Sequence, residues 1–146
     1  GGLIGSYMST NYTGDIYREH YSYGFSLEGD AQFVLDNDWS FLPFLMLSIE
    51  RAQDDENGII SNSGAGFQVR YWKGDKYIGG NIGFYLEIVD YEAGSPSTRY
   101  GPGIGLSVGM ENINGMIVGL QIDQPMIFSA VETRYTMRLH IGKRWK

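Results

Sequence analysis

The feature that most constrains this chain is a period of two. Residues Tyr21 to Asp36 read YSYGFSLEGDAQFVLD and split by parity. One set is Tyr21, Tyr23, Phe25, Leu27, Gly29, Ala31, Phe33 and Leu35; the other is Ser22, Gly24, Ser26, Glu28, Asp30, Gln32, Val34 and Asp36. Successive side chains of a strand point to opposite faces, so this segment is one long strand with an apolar and a polar face. The same template recurs to the end of the chain, with turn residues between the runs. It predicts eight strands: roughly Leu3 to Asn11, Tyr21 to Asp36, Phe41 to Arg51, Gly64 to Lys73, Tyr77 to Tyr91, Tyr100 to Glu111, Met116 to Asp123 and Glu132 to Trp145. No useful stretch follows the helical period.

The connections alternate in length. Asn37-Asp38-Trp39, Gly74-Asp75-Lys76 and Asn112-Ile113-Asn114-Gly115 are tight turns of residues that tolerate positive φ or close Asx-turns. Those around Tyr12 to His20, Ala52 to Ser63, Glu92 to Arg99 and Gln124 to Val131 are long. Short turns at one end, long loops at the other and an even strand number predict an antiparallel up-and-down β-barrel, which leaves no sheet edge open. At 146 residues the chain reads as a single barrel domain, 1–146.

Glycine decides which face is wet. The apolar parity carries Phe67, Val69, Ile82, Phe84, Leu86, Ile104, Leu106, Val118, Leu120, Met137 and Leu139, with charges such as Lys73, Asp90 and Lys143 only near strand ends. The polar parity carries most strand glycines, among them Gly24, Gly64, Gly66, Gly79, Gly83, Gly103, Gly105, Gly109 and Gly119. A solvent-exposed face gains nothing from glycine, whereas a narrow lumen needs small residues beside long ones. The polar face also holds Glu28, Asp30, Glu50, Glu87 and Asp123 against Arg70, Arg138, Arg144 and His140, a set able to pair across a lumen. The expected architecture is therefore a transmembrane barrel, apolar outside, with a lumen charge network. A soluble lipocalin-like barrel binding an apolar ligand is the alternative with reversed faces; Leu42, Phe44 and Met46, apolar at lumen parity, favour it.

Aromatic residues concentrate at two levels. Trp39, Phe41, Tyr71, Tyr77 and Trp145 lie toward the short turns, and Tyr21, Tyr23, Tyr91, Tyr100 and Tyr135 toward the long loops. Two such girdles flank the apolar band of a membrane barrel. No run of about 18 apolar residues exists, the longest candidate being Phe41 to Ile49, and no secretory leader is visible at the N-terminus. A formal charge of -6 without a basic stripe argues against nucleic acid, and the absence of cysteine excludes disulfides and thiolate metal sites.

With its closing segment ETRYTMRLHIGKRW, the chain resembles the small eight-stranded outer-membrane proteins of Gram-negative bacteria, the OmpA/OmpX/Opa-like barrels. The segment is similar to the aromatic-ended last strand of that family, although here Lys146 follows Trp145. The resemblance implies location in the bacterial outer membrane, contact with lipid and lipopolysaccharide, long loops outside the cell, and no cofactor. A monomer with a structural or surface-interaction role, open to an extracellular partner through its loops, is expected; a narrow channel for ions or small solutes is the alternative.

Three local features compete with that reading. His20-Tyr21-Ser22 is similar to the His-x-Ser of the PagL-like lipid A deacylases, but it opens a strand, continues with Tyr23 and faces the lumen by parity, so no catalytic residue is assigned. Asp54, Asp55 and Glu56, in a loop before Asn57-Gly58, form a weak candidate for a divalent cation, without EF-hand spacing. Met126-Ile127-Phe128 is either an exposed apolar contact or a continuation of the barrel wall.

Overall fold

Alternation becomes strand along the whole chain. A computed structural model describes the backbone of residues 2–14, 18–52, 58–90, 95–127 and 132–145, and the side chains of 22–51, 58–90, 95–127 and 135–145. The strands are β1 (Gly2–Gly14), β2 (Arg18–Asp30), β3 (Phe33–Val34), β4 (Trp39–Ala52), β5 (Ile59–Lys73), β6 (Lys76–Asp90), β7 (Ser97–Glu111), β8 (Met116–Gln124) and β9 (Glu132–Arg144). Except for β2 and β3, neighbours in sequence pair antiparallel. β1 also pairs with β9, and β2 with β4, so the sheet closes on itself.

β2 and β3 form one stave of the wall. Asp30↔Phe44, Phe33↔Phe41 and Val34↔Ser40 keep a single register. The gap between them has a local cause. Ala31 N–H donates to the Pro43 carbonyl at 3.1 Å, and Pro43 has no N–H to return. Nine strand segments therefore make eight staves, as the alternation predicts.

The stagger sets the shape. Followed across paired residues, Arg70 leads through Gly79, Ser107, Gln121, Arg138, Met8, Gly24 and Glu50 back to β5 at Ile60, ten residues from its start. Eight staves with this stagger tilt by about 40° and leave a backbone radius of about 8 Å, an interior that side chains fill.

The faces are inside-out relative to a soluble protein. Phe25 and Leu106 are 74% and 70% exposed, whereas Glu28, Arg70, Glu87 and Arg138 are at most 3% exposed. Apolar wall outside and buried charge inside make this a transmembrane β-barrel, not a lipocalin-like one. Val34 keeps lumen parity but is exposed, because β3 runs past the first paired residue of β1 into the barrel mouth.

Turn chemistry is local. Asp36 Oδ1 accepts from the Asp38 and Trp39 amides at 2.9 Å, and Asn112 Oδ1 from those of Asn114 and Met116 at 3.0 Å. Gly74 and Gly115 take φ of 66° and 76°, the left-handed region that glycine enters without strain. At the other end Met126 takes φ of 56° after Pro125, and Ile127 N–H reaches the Pro102 carbonyl at 2.9 Å. β8 therefore stops at Gln124. Met126 turns inward against Phe44, Met46 and Tyr85, serving neither as plain barrel wall nor as an exposed contact; Phe128 lies outside the described residues.

Candidate functional site

The lumen concentrates the polar chemistry. Arg138, on β9, is its centre: Nε donates to Asp123 Oδ2 at 2.8 Å, Nη2 to the same oxygen, and Nη1 to Glu28 Oε2 at 3.3 Å. The carboxylate of Asp123 also accepts from Asn81 Nδ2 and Gln121 Nε2, each at 2.8 Å. β2, β6, β8 and β9 all contribute, which the barrel's curvature alone makes possible. Charges so thoroughly bonded can stay in a dry interior.

Toward the short turns, Arg144 Nη1 donates to Gln32 Oε1 at 2.5 Å and Glu111 Oε2 at 2.7 Å, while Nη2 lies 3.4 Å from Asp30 Oδ2. Arg70 is different. Its Nε donates to Gln68 Oε1 at 2.5 Å, and its guanidinium stacks over the Tyr77 ring at 4.3 Å. Among the described residues no carboxylate reaches it and its Nη1 has no partner. The same holds for Arg144 Nε and for both ring nitrogens of His140. Toward the long loops, Glu50 accepts from Ser22 Oγ at 2.6 Å and Asn62 Nδ2 at 2.8 Å, and Glu87 lies opposite Arg99 in register.

Two tyrosines organise the glycines. A Cβ at Gly109 or Gly119 would come within 2.7 Å of the Tyr77 hydroxyl, and one at Gly64 or Gly103 within 2.7 or 2.6 Å of the Tyr85 ring. Both rings therefore lie flat against walls without side chains. Tyr77 was expected in the outer girdle and belongs instead to the lumen, where it is 5% exposed; its odd position on β6, shared with Asn81 and Glu87, carries that signal. Tyr85 has the same parity and went unassigned from sequence. With Phe44 and Met46 it forms a buried apolar cluster across the lumen, closed from the loop side by Met126. A small cavity of about 20 Å³ lies beside it, bordered by Met46, Tyr85, Asp123 and Arg138. At the short-turn end the lumen instead widens into a vestibule of about 620 Å³ bordered by Gln32, Ser40, Trp72 and Glu111.

Outside, Trp39 and Tyr71 rings meet at 5.0 Å, Phe41 and Phe67 stack at 5.1 Å, and Phe84 and Tyr100 lie 6.1 Å apart. Tyr23, Tyr135 and Trp145 are exposed. The side chains of Tyr21, Tyr91 and His20, and the loop with Asp54, Asp55 and Glu56, lie outside the described residues.

Closed staves, an apolar exterior and a charged lumen define the class: an eight-stranded membrane-spanning β-barrel. No protein-family model matches the chain, and no curated protein matches it. Solved structures are similar over nearly its whole length. Ail, the attachment invasion locus protein of Yersinia pestis, superposes with a TM-score of 0.71 at 12% identity, over 99% of this chain and 97% of that one. Neisserial surface protein A gives 0.68 at 15% identity, over 97% and 93%. The N-terminal barrel domain of Pseudomonas aeruginosa OprF gives 0.54 at 12% identity, over 97% and 96%. At these identities the likeness is one of fold, and the fold is that of small outer-membrane barrels such as Ail.

Proposed function

We propose that this protein is a non-enzymatic, monomeric scaffold of the bacterial outer membrane, presenting its long connections to the outside. The observation that supports this reading is the ion-paired and apolar filling of the lumen. Arg138 ties Asp123 to Glu28 across the interior, and Phe44, Met46, Tyr85 and Met126 pack together inside the barrel. A barrel blocked by ion pairs and rings supports the wall and conducts no solute. Work then falls to the loops.

Their chemistry favours some partners over others. A solved structure of Ail is a complex with the heparin analogue sucrose octasulfate. Here Asp54, Asp55 and Glu56 share one loop and the chain carries a formal charge of -6, so a polyanion meets repulsion. Lipopolysaccharide phosphates bridged by divalent cations, or a cationic surface, suit these loops better.

Planar-bilayer recording of the purified, folded protein tests the reading. Little or no steady conductance is expected. Regular single-channel steps would replace the scaffold by the narrow channel, a reading that the wide vestibule and the unpartnered nitrogens of Arg70 and His140 favour at one end only.

A further inference from the structure

The outer wall is not uniformly bulky. Between β2, β4 and β5 it is indented by a cleft of about 850 Å³, floored by Ala31, Pro43 and Ala65 and walled by Leu45, Phe67 and Trp145. Elsewhere the same parity carries large residues such as Phe25, Ile82 and Leu106. The cleft begins at Trp145, in the aromatic level of Trp39 and Tyr71, and rises toward mid-strand, so it opens into the half of the membrane on the short-turn side.

We propose that this cleft holds one acyl chain of an anionic phospholipid whose phosphate is met by Lys143. Two observations support that occupant. The volume falls in the range of built ligand pockets and the lining is apolar, which suits a hydrocarbon chain. Lys143 is exposed, precedes Trp145 of the lining by two positions on the same outward face, and is joined in register through Leu3 to Gly29 of the lining, which puts a cation beside the cleft.

The inference rests on the membrane reading above, and the experiment separates the two. The full chain carrying Trp39→Phe and Trp72→Phe, so that Trp145 is the sole tryptophan, is folded into phosphatidylcholine vesicles containing a small fraction of chain-brominated phosphatidylglycerol or chain-brominated phosphatidylcholine. Trp145 quenching per brominated lipid is expected to be about fivefold stronger for the anionic lipid, the scale of one lysine at an anionic surface. Lys143→Gln should bring that ratio to about one, and Ala65→Phe, which fills the cleft from the lipid side, should weaken quenching by the anionic lipid. Native mass spectrometry of the unsubstituted protein should retain phosphatidylglycerol in preference to phosphatidylcholine. A ratio of one in a folded barrel, a ratio indifferent to both substitutions, or cross-linking between copies through the cleft overturns the lipid site. Failure to insert, read by the absence of a heat-dependent gel shift, instead overturns the membrane reading.

Discussion

Arg138 and Arg70 lie on one line of strand pairing and are each 1% exposed, yet they are held in opposite ways. Arg138 is bonded to two carboxylates; Arg70 has an amide oxygen and the face of Tyr77. The difference follows depth. Arg70 pairs in register with Ser40, which borders the vestibule, whereas Arg138 borders only a cavity of about 20 Å³. A buried guanidinium needs ionic partners where water is excluded and can do without them near a wet mouth.

The comparison can be broken from the costly end. Arg138→Met leaves Glu28 and Asp123 buried without their cation and should cost about 3–5 kcal/mol in urea unfolding from lipid vesicles. A loss under about 1 kcal/mol would mean that water reaches the centre of the lumen. Moving the guanidinium through the wall is the next test. Leu106→Arg places it against lipid and should cost about 2–4 kcal/mol in the same assay, although Leu106 touches no charged network.

Two glycines sharpen the contrast between faces. A Cβ at Gly66 would overlap the Ile82 carbonyl and the Gly83 Cα, so Gly66→Ala should cost about 1–3 kcal/mol. On the outer face, a Cβ at Gly80 would have only the Gly105 carbonyl within reach, at 3.9 Å, and Gly80→Ala should be neutral or slightly stabilising by thermal denaturation. The smallest effect is expected at Arg70→Met. It orphans no carboxylate and should shift stability by less than about 1 kcal/mol; a loss matching that of Arg138→Met would erase the distinction between the two arginines.

Much of this was legible in the sequence, for a specific reason. A strand's parity is local, so Glu28, Gln68, Asp123 and His140 could be assigned to one face without knowing their neighbours. At Tyr77 level and parity point different ways: its place near a strand end suits a girdle, but its odd position turns it into the lumen. Leu42, Phe44 and Met46 looked like a conflict, apolar at lumen parity. In the structure Phe44 and Met46 pack with Tyr85 as a buried apolar cluster inside the barrel.

What alternation and turn chemistry determined by themselves was the number of staves, their antiparallel order, and which residues face lipid. The stagger of ten residues around the ring was not written in any local pattern. That stagger decides who meets whom across eight staves: Asp30 finds Arg144, Glu28 finds Arg138, and Arg70 settles on Tyr77. Partners separated by more than a hundred positions, such as Glu28 and Arg138, are brought together only by closure of the sheet, so the tertiary structure alone could choose them.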